Sequence, residues 1–461
     1  MEFTQKNQII GDVLRRQREY FATGQTRSVK SRQYSLKLLE DALVAHKDEI
    51  LAALKSDLNK PSLEAYLAEY YFLLQEIRLA KKSLKKWLKP KRVSSPVYMQ
   101  PCKSEVMNEP YGVVLIVAPW NYPIQLSLAP LVSAIAAGNT VIIKPSEHAS
   151  ASEALLVKLL AEVYPTKLVH VQTGGVEVST ALLQGKYDFI FFTGSTEVGK
   201  IVAKRAAENL TPCVLELGGK CPCIVDATAD LKLAASRILN GKFFNAGQTC
   251  FSPDFVAVHE SVESELIEAL KAELSSVPWH KEMAHMINQN HYQRWLDRLG
   301  DVDDRRIFFV GDDEVITNKL APRIVSDCRW DEALLNNEIF GPILPVIRYT
   351  SESDLFEQLS SYGDPLAMYL FSENKEFCEN VKNAKRSGGI CINDTMKQSM
   401  SLNLPFGGVG DSGFGRYRGV YGFESFSYQR AVVKRGKLGA KWLDLKPPYG
   451  DLFTWIEKFM R

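Results

Sequence analysis

No stretch of the 461-residue chain is apolar for the roughly 20 residues that a membrane-spanning helix needs, which argues against a spanning segment. Net charge is scarce too. Against 56 Lys and Arg stand 54 Asp and Glu, a balance that gives no footing to a nucleic acid or a polyanionic partner. Residues 1–10 lack the apolar core and cleavage site of a secretory signal, so the expected location is the cytoplasm. Histidine is sparse: of seven residues no two stand at the helical spacing of a zinc site, and no metal is expected. A Gly-x-Ser-x-Gly elbow is missing as well, which leaves a serine triad without support.

The eight cysteines, at 102, 213, 221, 223, 250, 328, 378 and 391, are scattered through a chain long enough to build its core without disulfides. All are expected as thiols. Cys221-Pro222-Cys223 has no second ligand pair and the wrong spacing for a redox pair, so both cysteines read as small buried residues. What is present is the composition of a soluble globular protein, 46% apolar and 24% charged, at a length that suggests roughly two or three domains.

Leu36, Leu39, Leu43, Ile50 and Leu54 fall near helical spacing and predict, with Pro61 as a break, amphipathic helices over 36–58 and 63–88. From Gly112 the pattern changes. Apolar runs predict strands over 113–118, 140–144, 168–172, 188–192 and 212–217, with helices over 126–137, 151–163, 177–184 and 196–208 between them. Such alternation predicts an α/β fold with a doubly wound parallel sheet, which binds dinucleotides at the carboxyl ends of its strands. After Gly218 the alternation restarts, with helices over 230–241 and 261–275 and strands over 254–259 and near 307, 345, 368 and 390. This second α/β domain contains Cys250. Residues 89–107, rich in Lys, Ser and Pro, fit neither pattern and predict a projecting ribbon that pairs with the tail near 425–436.

Cys250 closes Asn245-Ala246-Gly247-Gln248-Thr249-Cys250, 34 positions after Glu216 of Leu215-Glu216-Leu217-Gly218-Gly219-Lys220. It alone among the cysteines adjoins a flexible Asn-Ala-Gly segment. A thiolate to attack a carbonyl and a carboxylate to make hydroxide from water are the two parts of covalent catalysis through a thioester. Pro119-Trp120-Asn121-Tyr122-Pro123 follows the first sheet strand, where the Asn121 amide and the Cys250 backbone N–H can serve an oxyanion; a rigid turn explains the same residues. Lys144-Pro145-Ser146-Glu147 ends the second strand and suits ribose hydroxyls, or else is a capped turn. Phe192-Thr193-Gly194-Ser195 opens a helix that contains Gly199, and its N-terminal N–H groups can receive a pyrophosphate. Glu338-Ile339-Phe340 offers a carboxylate for ribose and a ring for nicotinamide, or a turn with a core Phe. Pro405-Phe406-Gly407-Gly408-Val409-Gly410 is a loop able to approach a ligand closely.

Taken in order, these segments resemble the aldehyde dehydrogenase superfamily along nearly the whole chain, and most closely its class 3 branch, short enzymes acting on fatty and aromatic aldehydes. The resemblance implies a Rossmann-type nucleotide-binding domain, an α/β catalytic domain and a small β-ribbon bridging element. The implied divisions are 1–88 (helical part of the nucleotide-binding domain), 89–107 (first part of the ribbon), 108–217 (nucleotide-binding domain), 218–415 (catalytic domain) and 416–461 (ribbon, oligomerisation and tail). It implies Cys250 as nucleophile, Glu216 as general base and Asn121 as oxyanion donor. Lys144, Glu147, Gly194, Ser195, Gly199, Glu338 and Phe340 would bind NAD or NADP, with NAD favoured, and Tyr122, Phe251 and Phe406 would line the substrate pocket. A homodimer oxidising a medium- or long-chain aliphatic, or aromatic, aldehyde to its acid is the resulting expectation. Phe251-Ser252-Pro253 after the cysteine, and Asp411 in the glycine-dense loop, depart from the commoner pattern. The alternatives are an acylating enzyme that passes the thioester to coenzyme A, and a non-catalytic protein on the same scaffold; Glu216 argues against the first, and retention of Cys250, Glu216 and Asn121 against the second.

Overall fold

Val113–Val117 sits inside a six-stranded sheet whose spatial order is Gly413–Phe414, Cys213–Leu217, Phe189–Gly194, Val113–Val117, Thr140–Lys144, Val169–Val171. The computed structural model that defines it describes residues 2–96, 99–436, 447, 449–450 and 452–460. All pairings are parallel except that of Gly413–Phe414. Helices cover both faces, so the inner strands are apolar without alternation: Val113, Val114, Leu115 and Ile116 are all fully buried. The chain winds from Val113–Val117 to one edge, then returns to its other side for Phe189–Gly194. At that reversal a crevice opens beyond the carboxyl ends of the strands, and residues 119–122 lie there.

A second sheet runs Ile307–Phe309, Arg323–Cys328, Ile343–Tyr349, Phe255–His259, Pro222–Val225, Ala367–Phe371, Gly389–Ile392, parallel but for Ile307–Phe309. Residues 218–220, the cysteine turn and residues 338–341 each lead into one of its strands. Strands of the first sheet therefore end, and strands of the second begin, around one cleft. The third sheet is the antiparallel ribbon Lys91–Val93, Cys102–Pro110, Ser427–Arg435, with pairing from Ser427 on Pro110 to Arg435 on Cys102.

Several boundaries differ from the sequence reading for physical reasons. The ribbon strand runs on to Pro110, past 107, and Gly413–Phe414 joins the first sheet rather than staying with the second. The helix expected over 36–58 is two, Val29–Ala45 and Lys47–Leu58, which meet at His46. Over 63–88 the helix contains a π-helical segment, Tyr66–Tyr71. The strands Pro222–Val225 and Arg323–Cys328 were not anticipated; the first is only four residues long, and the second carries a register shift beside Asp327 at φ 53°. The helix Glu2–Ala22 is too polar to stand out in sequence, yet its buried Gln17 amide donates to the Val141 carbonyl at 2.8 Å. Residues 452–460 form a short helix with Phe453 and Trp455 exposed, whereas 437–446, part of the expected ribbon and tail, lie outside the described residues.

Candidate active site

Three successive residues before the cysteine adopt left-handed backbone: Asn245 at φ 53°, Ala246 at φ 54° and Gly247 at φ 71°. For Asn245 and Ala246 this costs about 1–2 kcal/mol each, and the surroundings hold them there. The Asn245 N–H donates to Glu64 Oε2 at 2.8 Å, and its side-chain amide donates to the carbonyls of Asn121 (3.0 Å) and Gln248 (3.1 Å). Gln248 in turn donates to the carbonyls of Asn245 and His285, and accepts from the Ile287 N–H. A Cβ on Gly247 would fall 2.3 Å from the Gly341 carbonyl oxygen, so only glycine fits. The segment expected to be flexible is thus buried and tethered by hydrogen bonds, and it fixes Cys250 in place.

Asn121 meets that turn from the first sheet. Its amide donates to the Gln248 carbonyl at 2.9 Å, and its own carbonyl receives Lys60 Nζ at 3.0 Å. An amide nitrogen carries two hydrogens, so one remains for a ligand. Lys60 and Glu69 form a fully buried ion pair at 2.5 Å, and Glu69 also accepts the Ile124 and Gln125 N–H groups at the start of the helix Gln125–Ala137. Tyr122 donates to or accepts from Thr249 Oγ1 at 2.6 Å.

Two carboxyls approach Cys250. Glu216, 3% exposed, stands in register with Thr193 on the neighbouring strand, and neither its two oxygens nor Thr193 Oγ1 has a partner among the described residues. Burial pushes the Glu216 carboxyl well above the usual range, with Arg418 and then Arg416 acting against it. Glu338 is pushed up to about 8 by burial and by Asp254, while the Gly219 N–H and Lys220 and Lys242 favour its charged form. Burial, Glu338 and Glu216 drive the Cys250 thiol upward, and Arg418 opposes them. Each carboxyl lies against a glycine: a Cβ on Gly218 would sit 2.1 Å from Glu338 Oε2, and one on Gly407 would sit 2.9 Å from Glu216 Oε1.

Two cavities converge on Cys250, Glu216 and Thr193. The larger, of about 750 Å³, also takes in Asn121, Gly194, Ser195, Glu338 and Phe340. Ser195 caps the helix Thr196–Glu208, and Phe340 packs edge-on to Trp120 at 5.4 Å. A helix N-terminus, a carboxylate and paired aromatic rings in one cleft at a topological reversal fit a nicotinamide dinucleotide. The smaller cavity, of about 150 Å³, is lined by Tyr122, Phe251 and Phe406 together with Phe72, Leu126 and Met400. Three expected cofactor residues lie outside both. Lys144 and Glu147 pair at 2.9 Å at the end of the adjacent strand, and Gly199 faces the sheet, where a Cβ would meet Leu217 at 2.6 Å. Gly199 therefore serves the close approach of helix to strand.

Residues 5–432 match the aldehyde dehydrogenase family. The chain belongs to that family. It is 41% identical to the 4,4'-diaponeurosporen-aldehyde dehydrogenase of Staphylococcus aureus, over 96% of this chain and 97% of that one. Aldehyde dehydrogenase family 3 member H1 of Arabidopsis thaliana is likewise 41% identical, over 94% and 90%. The solved substrate-bound state of Staphylococcus aureus AldH superposes with a TM-score of 0.94 at 40% identity, covering 98% of this chain and 99% of that one. Resemblance to the class 3 branch, and the two-sheet fold expected from it, are thereby borne out.

This aldehyde dehydrogenase also lines its cavities with residues that the sequence reading passed over. His291, Arg294 and Arg298 project from one face of the helix Gln289–Leu299 into the larger cavity, and their i, i+3, i+7 spacing was a legible signal. Arg418 enters the smaller cavity from just beyond the glycine-dense loop. Lys60 gave no signal, because 61 positions separate it from Asn121. Among the described residues no cluster of His, Cys, Asp and Glu can hold a metal ion, and no helix is long and apolar enough to cross a membrane.

Proposed function

We propose that this aldehyde dehydrogenase oxidises a medium- or long-chain aliphatic, or an aromatic, aldehyde, and that Cys250 carries the substrate. The observation behind this is the junction of a dinucleotide-sized cavity, lined in part by polar and charged groups, and a smaller, mostly apolar one at the Cys250 and Glu216 side chains. Cys250 attacks the carbonyl carbon as the thiolate, its proton having been given up to water, and the oxyanion accepts the free Asn121 amide hydrogen and the Cys250 backbone N–H. Gly194 and Ser195 would hold the pyrophosphate, Glu338 the neighbouring ribose, Phe340 the ring, and Lys144 with Glu147 the adenosine ribose. When bound, the nicotinamide would accept the hydride that the tetrahedral carbon loses as the C=O bond re-forms, the oxidation by which the Cys250 adduct becomes a thioester. Glu216 then takes a proton from water, hydroxide attacks the Cys250 thioester, and the thiolate leaves as the acid is released. The two free oxygens of Glu216 beside the cysteine favour water over a thiol acceptor.

Three finer points complete the proposal. NAD is preferred over NADP because Glu147 would repel a 2′-phosphate. The protein works in the cytoplasm. It forms a homodimer, since Ser427–Arg435 is a nine-residue strand at the edge of its sheet, exposed along most of its length, and such an edge is a template for pairing with a second copy. One panel of short, long and aromatic aldehydes, assayed with both nucleotides by absorbance of the reduced cofactor, tests the reaction. Apolar burial gives about 0.8 kcal/mol per methylene, so kcat/KM should climb roughly fourfold per added carbon until the cavity is full. Equal efficiency with acetaldehyde would overturn the substrate class, and no turnover of any aldehyde would overturn the reaction.

A further inference from the structure

Arg418 is 5% exposed and its Nε and Nη1 find no hydrogen-bond partner among the described residues. Aromatic rings hold it instead. The guanidinium lies 4.0 Å from the Phe406 ring centroid, 4.8 Å from that of Phe72 and 5.5 Å from that of Tyr417. Its backbone, at φ 84°, precedes the helix Gly419–Ser425. The side chain lines the smaller cavity with Cys250, Glu216 and Thr193.

The groups facing it come from every element around it. Glu76, on the helix Phe72–Trp87, accepts the Gly419 N–H through Oε1 at 2.7 Å and leaves Oε2 unpartnered. Glu216 faces it from the strand Cys213–Leu217, Cys250 from the cysteine turn, and Tyr417 from its own segment. Arg416, the other nearby cation, is committed to the carbonyls of Gly408 and Gly415. Ring faces attract a cation but do not neutralise it, so the cavity holds a buried positive charge that faces, in Glu216, a carboxyl without a hydrogen bond among the described residues.

We infer that Arg418 is a positioning residue for the hydrolytic half of the reaction: its buried charge, held on Phe406 and Phe72, favours Glu216 as the carboxylate that takes a proton from water. This rests on the reading of Glu216 as the deacylation base. Burial alone would keep that group a neutral acid, and Arg418 is foremost among the charges that oppose burial there. Arg418 touches neither the reacting carbon nor the water in this scheme.

The test follows hydrolysis of the Cys250 acyl-enzyme by quenched-flow mass spectrometry, after a pulse of hexanal and NAD to the full-length protein, across pH. In Arg418→Gln the acid limb should move up by about one pH unit or more, giving roughly tenfold slower hydrolysis below the wild-type limb and convergence at high pH. Arg418→Lys keeps the charge and should leave the limb in place. If Arg418→Gln does not fold, Arg418→Lys carries the test, and a limb displaced upward despite the retained charge overturns the inference. An unmoved limb in Arg418→Gln, an equal loss at every pH, or a change confined to KM also overturns it, the last by making Arg418 a substrate contact. Wild-type protein that forms no acyl-enzyme would sink the functional reading itself, which is a distinct failure.

Discussion

The Asn121 side-chain amide donates to the Gln248 carbonyl at 2.9 Å, a bond from the loop that ends a strand of one sheet to the turn that carries the cysteine before the other. It orients the amide so that its second hydrogen is free, and it restrains the turn. Asn121→Ala removes both effects. Loss of one oxyanion donor costs about 10²–10³ in kcat, and here the slowed step should be formation of reduced cofactor in the burst. Cofactor affinity, read by fluorescence titration, should stay near wild type. A burst at the wild-type rate would show that Asn121 does not serve the oxyanion.

Cys250 is the one cysteine on the wall shared by the two cavities. Cys250→Ala should fold, bind cofactor and produce no reduced nicotinamide above background with any aldehyde. Turnover like that of wild type would transfer the chemistry to another group.

Lys60 and Glu69 are paired at zero side-chain exposure, and the pair supports Asn121 through its carbonyl and the following helix through two N–H groups. Removing one member of a buried pair costs about 3–5 kcal/mol, because the other charge is left without compensation. Lys60→Met should lower the denaturant midpoint accordingly. The double variant Lys60→Met, Glu69→Leu should recover part of the loss, since no lone charge then remains. A double variant as unstable as the single one would mean that the carboxylate's N–H contacts, not its charge, dominate.

Strands such as Val113–Val117 and Thr140–Lys144 were legible because a parallel strand covered on both faces is an unbroken apolar run. The cysteine turn was legible because its residues are contiguous. Its rigidity was not, since the bonds that tether it come from Glu64, Asn121 and His285, which no local pattern ties to residue 245. Gly199 shows a reason that spacing does not carry: a glycine near a helix start suggests a phosphate-binding turn, and here a Cβ would also meet Leu217 on the neighbouring strand. Burial and long-range pairing decide these cases, and neither is written in spacing.

Glu147 and Lys144 pair at 2.9 Å. Although burial acts in the opposite direction, the Lys144 hydrogen bond helps to keep the Glu147 carboxyl below its usual range and so ionised at neutral pH. A like charge a few ångströms away costs a 2′-phosphate about 1–4 kcal/mol in partly solvated surroundings. Glu147→Gln removes that repulsion and frees Lys144, so the ratio of kcat/KM for NADP to that for NAD should rise by on the order of tenfold. An unchanged ratio would place the adenosine ribose elsewhere.

Glu216 and Glu338 both approach Cys250, and under the proposed function they act at different steps. Glu216 has two oxygens without partners and a carboxyl raised by burial, which suits a base that must release its proton again. Glu338 receives the Gly219 N–H and stands two residues before Phe340 in the same cavity, which suits the proposed task of orienting a ribose. Because the Glu216 carboxyl is raised, its carboxylate fraction grows with pH, and thioester hydrolysis should quicken with it. Wild-type protein should therefore show a burst of reduced cofactor at low pH that fades into steady turnover as pH rises. Glu216→Gln should give a burst approaching one per active site at every pH, followed by slow turnover. Glu338→Gln should slow the burst itself through misplacement of the ring, with hydrolysis largely intact. If Glu216 also helps to deprotonate Cys250, the burst in Glu216→Gln will slow at low pH and recover as pH passes the thiol's own range. Rapid-mixing traces of both variants across pH decide the matter: a full burst in Glu338→Gln together with none at any pH in Glu216→Gln would reverse the two assignments.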